Sequence, residues 1–263
     1  MPTDTNHNPL ISIVIPVFNG QIHLRETIES ALNQDYKNTE LIIVDDGSTD
    51  KTSTILDRYQ DRALVIRQSN SGPGAARNNG IRHAAGKLVA FLDADDLWPK
   101  DNLSHHVNVF QTHSNFDVVL GRVQCLRAIN PGESQTNING DDAPNSYLNH
   151  QLSVPFYSYL FGAAVAKAHV FQTVGLIDEQ HYLGEDVDWF LRVRESHTAV
   201  LQTEHLALHY RRHDTSLTCI NKENSMLRVL KESLDRRRVL SDSNLSAPRL
   251  PAATLSTTAS TKQ

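Results

Sequence analysis

The sequence predicts an α/β fold: a mostly parallel central sheet flanked by helices, followed by a C-terminal helix and a disordered tail. Three observations carry that prediction. Short β-branched runs alternate with stretches of helical period. One run, Leu88–Leu92, is apolar at every position, as a strand covered on both faces requires. Three of the runs end abruptly in polar or acidic residues.

Taken in order, Ile11–Val17 (ISIVIPV) reads as a buried strand. Leu24, Ile28, Ala31 and Leu32 then recur at helical spacing. Leu41–Val44 is a second strand, after which Asp50 is placed to cap a helix carrying Ile55, Leu56 and Tyr59. Leu64–Ile66 is a third strand. Ser71-Gly72-Pro73-Gly74 is a turn leading into a helix over Ala75–Ala85, and Leu88–Leu92 follows. Alternation of this kind implies parallel βαβ units in a Rossmann-like sheet, with ligands beyond the carboxyl ends of the strands. Val17-Phe18-Asn19, Asp45-Asp46 and Asp93–Asp96 therefore share one edge.

The second half is less regular. Val118–Leu126 reads as a strand, and Ala128–Ser153, rich in Asn, Asp, Gly, Pro and Ser, as a long loop. That loop is either a lid or a surface insertion. Order resumes over Tyr157–Ala166. A helix over Asp186–Glu195 and short strands over Ala199–Leu201 and Ala207–Arg211 come next. Asn221–Leu240 is an amphipathic helix with Met226, Leu227, Leu230 and Leu234 on one face. The expected organisation is a flexible segment 1–9, a domain 10–240 split into halves 10–126 and 127–240, and a disordered tail 241–263 rich in Ser, Thr, Ala and Pro.

Composition excludes several classes of function. A net charge of -5 argues against nucleic acid as a partner. Two cysteines, Cys125 and Cys219, are too few for a disulfide framework or a thiolate metal site; buried free thiols are expected, with a single bridge between them the alternative. The N-terminal MPTDTNHNPL has neither a basic leader nor an apolar core, and no apolar run reaches the ~20 residues that span a bilayer. The expectation is a cytoplasmic chain without a transmembrane segment, with peripheral association at the inner face of the membrane left open.

The densest chemistry lies in FLDADDLW, Phe91–Trp98. Asp93, Asp95 and Asp96 leave an apolar strand together and repel one another unless a cation sits among them. Oxygen-only ligands suit Mg²⁺ or Mn²⁺, with substrate phosphates and water completing the shell. The bland alternative is an acidic helix N-terminus.

IPVFN (Ile15–Asn19), VDDGSTD (Val44–Asp50), NSGPGAARNNGI (Asn70–Ile81), FLDADD, GEDVDWFLRV (Gly184–Val193) and YRRH (Tyr210–His213) follow in that order. Together the six resemble an inverting family 2 glycosyltransferase of the A-type fold, over roughly Ile11 to Thr218. The resemblance implies a nucleotide-sugar-binding half, 10–126, and an acceptor-binding half, 127–240. It also implies displacement at the anomeric carbon, and a UDP-, dTDP- or GDP-sugar donor. The acceptor would be a carbohydrate or a lipid-linked one, as in polysaccharide or glycolipid assembly.

Residue by residue, the resemblance gives Asp46 the nucleobase imide, with Asp45 beside it or simply forming the turn before Gly47. Pro16 and Asn19 shape the base pocket through their backbone, or Pro16 merely ends the strand. Arg77 reaches the diphosphate or holds the acidic cluster in place. Asp93 faces the ribose, Asp95 ligates the metal, and Asp96 supports or shares that role. His213 supplies a further metal ligand, or is a surface histidine, with His209 the weaker candidate. Asp186, with Glu185, is the candidate general base, against the alternative of helix N-terminal charge. Asp188 and Arg192 suit an i,i+4 pair, and Trp189 and Phe190 pack in the core or stack on a sugar.

The QxxRW motif and membrane helices of polymerising relatives are missing from this sequence, so the resemblance implies a transferase expected to add a single sugar and release its product. Two other readings stay open. A catalytically silent nucleotide-sugar-binding protein would keep Asp46 and the aspartate cluster. A sugar nucleotidyltransferase would leave the GED and YRRH segments without a role.

Overall fold

The structure, a computed structural model, describes residues 8–128, 150–213, 225–242 and 254–255. Four strands, β1 (Ile11–Val17), β2 (Thr39–Asp45), β3 (Leu64–Arg67) and β4 (Leu88–Phe91), form the parallel part of the sheet, in the order β3-β2-β1-β4. Helices α1 (Leu24–Leu32), α2 (Thr52–Leu56) and α3 (Pro73–His83) make the crossovers. Every residue of β1 and β4 is buried, which explains why Ser12, hydrogen-bonded to Glu40 and Gly86, is the one polar side chain among them. α3 lies so close to β1 that a Cβ on Gly80 would fall 2.3 Å from Val14 Cγ1.

The sheet continues as β8 (Ala164–Lys167), β5 (Val118–Ala128) and β9 (Val200–Arg212). β8 runs antiparallel to both β4 and β5, while β9 is parallel to β5. β6 (His150–Leu152) and β7 (Phe156–Tyr157) also pair antiparallel with β5. The sheet is thus mixed: β1 to β4 are parallel, β8 breaks the run, and β5 and β9 form a further parallel pair.

Several elements depart from expectation. α4 (Asn102–Thr112) is missing from the predicted set. Its buried face runs Leu103, His106, Val107, Phe110, and the fully buried imidazole of His106 breaks an otherwise readable apolar stripe. The two short strands expected over Ala199–Leu201 and Ala207–Arg211 are one strand, β9, made continuous by an irregular register between Leu120 and Val123. There Gly121 is required, because a Cβ would lie 2.4 Å from that of Ala207. β6 occupies the end of the expected loop, and residues 129–149 of that loop lie outside the described residues.

After β8 come α5 (Val170–Thr173) and α6 (Glu185–Glu195). Trp189 and Phe190 of α6 are buried and pack against Phe161 and Phe171, so both are core residues and neither is free to stack on a sugar. Asp188 pairs with Arg192 at 2.8 Å, as expected. The C-terminal helix, α7 (Ser225–Asp242), docks on α6 by the opposite face from the one its leucines suggest. Val229 and Ser233 are buried, whereas Leu227, Leu230 and Leu234 are 62%, 44% and 53% exposed. The reason is electrostatic. Arg236 meets Glu195 and Asp188 at 2.7 and 3.1 Å, and Ser233 donates to Glu195, so polar partners on α6 orient the helix. Residues 221–224 of the expected helix and the side chain of Met226 lie outside the description.

Beyond α7, Thr254–Leu255 forms a short strand, β10, beside β9. The rest of the expected tail, 243–253 and 256–263, and residues 1–7 lie outside the described residues, as does Cys219. Cys125 is a free thiol, half-buried rather than in the core. Among the described residues no helix is long and apolar enough to cross a membrane.

Candidate active site

Because β1, β2 and β4 are parallel neighbours, their carboxyl ends bring Asn19, Asp46 and Asp93 to a common edge. At the first of these ends, buried Pro16 pairs in register with Val44, and the chain turns at Asn19, whose φ is 54°. Asn19 Oδ1 accepts the Thr49 amide, and its own N–H donates to Ser48 Oγ. Asp45 Oδ1 accepts the Ser48 amide at 3.0 Å, which makes it the turn-forming residue before Gly47. Asp46 is buried and holds the next loop, accepting from Gln68 Nε2 and the amides of Ser71 and Gly72 at 2.8–2.9 Å.

Asp93 is joined to a residue far along the chain. The buried guanidinium of Arg77 donates through Nη2 to Asp93 Oδ1 at 2.5 Å and through Nη1 to Glu185 Oε1 at 2.7 Å. Its plane also sits 5.2 Å from the Phe161 ring centroid. Of the two expectations for Arg77, the geometry matches the one in which it holds the acidic cluster. The Asp93 and Glu185 carboxylates, with Asp186 nearby, keep Arg77 charged by raising its pKa further. Half-buried Asp186 follows at the start of α6, with Oδ1 accepting the Val187 amide at 2.7 Å. Burial, then the Glu185 charge, push the Asp186 carboxyl up to about 7, with Arg77 opposing them.

On the other side of the aspartate cluster, Leu97 and His209 exchange backbone hydrogen bonds and bring the end of β9 against the DADD segment. Asp95 Oδ2 and His213 Nε2 meet at 2.9 Å, both partly exposed. Asp96 is different. Its carboxylate is buried, accepts the Arg211 amide at 2.8 Å, and is pushed well above the usual carboxylate range by burial and by Asp95 and Asp93. The structure thus brings Asp95 and His213 together and sets Asp96 beneath them. Burial lowers His209 to about 4, and its backbone rather than its ring makes the bridge to Leu97.

His23 is a neighbour that sequence spacing does not reveal. Its ring lies 4.9 Å from that of His213, and its Nδ1 contacts the Arg211 guanidinium, which also pairs with Glu26 at 2.7 Å. Burial, followed by Arg211 and His213, lowers His23 to about 4, so it is neutral at ordinary pH. Phe18, which the sequence already places on this edge, is 45% exposed beside Asn19.

Two partly exposed ligand atoms, Asp95 Oδ2 and His213 Nε2, with a further buried carboxylate below, suit a hard divalent cation that takes its remaining ligands from phosphate and water. Among the described residues the group of three whose ligand atoms gather within 4.8 Å lies elsewhere: Asp178, His181 and Glu232, between the loop before α6 and α7.

Carboxylates, a buried arginine and a histidine gathered along the strand-end edge of a mixed α/β sheet make an arrangement of the kind found in α/β enzymes. The chain belongs to glycosyl transferase family 2, whose model matches residues 12–174. It is similar to an uncharacterized glycosyltransferase of Rickettsia typhi, 32% identical over 232 residues, covering 86% of this chain and 70% of that protein. It is also 38% identical over 109 residues to WfaP of Escherichia coli, named a UDP-Glc:alpha-D-GlcNAc-diphosphoundecaprenol beta-1,3-glucosyltransferase; these cover 41% of this chain and 43% of that enzyme. Among solved structures, S. aureus TarS 1-349 in complex with UDP-GlcNAc superposes with a TM-score of 0.64 at 20% identity, over 91% of this chain and 67% of that one. The fold is therefore that of the A-type glycosyltransferases. Several relatives are considerably longer than the part this chain matches. The matched family segment ends before Glu185, Asp186 and His213, so geometry alone joins those residues to the edge.

Proposed function

We propose that the chain transfers one sugar at a time from a nucleoside-diphosphate sugar to an acceptor hydroxyl, with inversion. The observation that carries this reading is the joining of strand-end Asp93 to Glu185 through one buried arginine, with the neighbouring Asp186 pushed up to about 7. A carboxylate poised at about 7 is suited to taking the acceptor proton as the oxygen attacks the anomeric carbon.

The halves divide the work: 10–126 for the donor, 127–240 for the acceptor. Asp46 accepts from the base imide, Phe18 offers a ring face, and Pro16, Asn19 and Asp45 shape the pocket by fixing the turn around it. Asp93, tied by Arg77, faces the ribose. Asp95 and His213 would hold Mg²⁺ or Mn²⁺, with Asp96 supporting them from below. When bound, that cation supplies charge neutralisation for the leaving diphosphate. Glu185 keeps Arg77 in place, and Asp186 receives the proton.

A UDP-sugar is the donor to test first, because the E. coli relative is named for UDP-Glc and TarS was solved with UDP-GlcNAc; dTDP- and GDP-sugars are the alternatives. A mannosyltransferase from Pyrobaculum calidifontis, solved with GDP-Man and Mn2+, shares the fold at a TM-score of 0.57 and 18% identity. The acceptor is a carbohydrate or lipid-linked carbohydrate of polysaccharide or glycolipid assembly, met on the cytoplasmic side of the membrane.

The test is product analysis with Mn²⁺, a panel of sugar nucleotides and a diphospholipid-linked N-acetylglucosamine acceptor. Release of nucleoside diphosphate, with inverted anomeric configuration by NMR, is expected, and Asp95→Ala should lose it. Pyrophosphate release when a nucleoside triphosphate and a sugar 1-phosphate are supplied instead, with no nucleoside diphosphate released from the sugar nucleotides, would make the protein a nucleotidyltransferase. Tight donor binding without turnover would make it a silent binding protein.

A further inference from the structure

α7 carries its most apolar stripe on the outside. Leu227, Leu230 and Leu234 are all exposed, and at 3.6 residues per turn they fall within an arc of about 60°. The inner face of the helix has little need of them. It is held by Val229, Ser233 and the Arg236 pairs to α6, and by Glu232 accepting from buried His181 at 2.8 Å. An apolar stripe left outside a polar docking seam asks for a covering partner.

The charges beside the stripe indicate which partner. On the same wheel Arg238 and Lys231 lie within about 40° on one side of Leu227, and Arg237 within about 20° of Leu230 on the other. Arg238 is 77% exposed and pairs with Asp235 at 3.3 Å, Arg237 is 39% exposed and pairs with Glu195 at 3.6 Å, and Lys231 is exposed, against a chain whose net charge is -5. Two copies of such a face would set basic rims against each other. An anionic lipid surface complements both features: leucines enter the acyl boundary while Lys and Arg reach the headgroups.

Position adds a purpose. Val229 of α7 packs on Gly184, where a Cβ would lie 3.3 Å from its Cγ2, and Glu185-Asp186 begin at the next residue. We infer that α7 lies in the plane of an anionic membrane through Leu227, Leu230 and Leu234, and so presents the start of α6 to membrane-borne acceptors. Its purpose rests on the proposed transferase reading, but its test requires neither donor nor acceptor.

The full chain is sedimented with phosphatidylcholine vesicles with and without phosphatidylglycerol. The wild type should partition onto the anionic vesicles, and less so at high salt. Leu227→Ser/Leu230→Ser/Leu234→Ser should lower that partition by about tenfold or more, with circular dichroism and thermal midpoint retained. Lys231→Glu/Arg238→Glu should reduce binding to anionic vesicles and leave the leucines in place. A wild type that ignores both vesicles overturns the inference, as does a triple-serine variant that binds unchanged. So does a wild-type dimer that ignores vesicles and that the triple-serine variant dissociates, since the stripe would then belong to a second copy.

Discussion

Arg77→Met tests the joint on which the candidate site depends. Methionine keeps length and apolar bulk under Phe161 but removes the charge that joins Asp93 to Glu185. Breaking a buried ion pair by deleting one partner costs about 3–5 kcal/mol, because the remaining charge is left uncompensated. Here Glu185 is 9% exposed and Asp93 35%, so solvent screens half of the joint, and the lower end, about 3 kcal/mol, applies. For a chain of this size that lowers the melting midpoint by about 6–12 °C. Arg77→Lys should recover only part of this, since an ammonium cannot place two donors on carboxylates from different elements as the planar fork does. The same change removes the charge that holds Asp186 down, so the acid limb of kcat/KM should move above about 7. Calorimetry and a pH–rate profile measure the two effects separately. An Arg77→Met protein with the wild-type midpoint and the wild-type acid limb would refute the reasoning.

Asp186→Asn should lower transfer by about 10²–10⁴ with the fold retained, and the wild type should lose activity tenfold per pH unit below about 7, where the base is protonated. The stability effect has the opposite sense: between about 4, the unfolded value, and about 7 the folded state keeps a proton that the unfolded chain releases, so stability falls as pH rises. Asp186→Asn should flatten that decline in pH-dependent denaturant melts, and an unchanged slope would remove Asp186 as its source. Gly80→Ala should destabilise by about 1–3 kcal/mol, because the new methyl overlaps Val14; a neutral result in urea melts would mean that α3 shifts freely on β1.

The donor-side sheet is legible because each strand is a short β-branched run closed by a chemically distinct end: IPVFN, VDDGS, FLDADD. Local pattern and local function coincide there. Where a side chain's environment is set by a distant element, the pattern gives no purchase. His106 sits in the apolar face of α4 because neighbours enclose it, and a histidine in a sequence reads as polar. The leucines of α7 read as its buried face, yet carboxylates on α6 turn the helix the other way. Glu185 was legible as a family motif, but its partnership with Arg77 spans 108 positions and has no spacing to betray it. His23 and His213 meet only because β9 returns to the end of β4. Thus the residues expected at the site, Arg77 among them, could be named from the sequence, whereas the particular carboxylates Arg77 joins, Asp93 and Glu185, could not.

The reach of Arg77 also bears on the proposed metal site. Asp93, Asp95, Asp96, Glu185 and Asp186 surround the edge, while the two nearby guanidiniums, of Arg77 and Arg211, must serve Glu26 as well. Arg77 neutralises the side facing α6 and reaches no further, since both its terminal nitrogens are occupied. Negative charge is therefore left uncompensated at Asp95, with His213 as its polar partner. A divalent ion at that point should stabilise the folded chain irrespective of catalysis. At a hundredfold excess over its dissociation constant the gain is about 2.7 kcal/mol, or about 5–11 °C in melting midpoint. Asp95→Ala should abolish the shift, and sodium chloride at matched ionic strength should not reproduce it, because screening does not replace inner-sphere ligation. Identical melting curves with and without Mn²⁺ would reduce Asp95 and His213 to a hydrogen-bonded pair and leave the two guanidiniums, of Arg77 and Arg211, to balance the cluster.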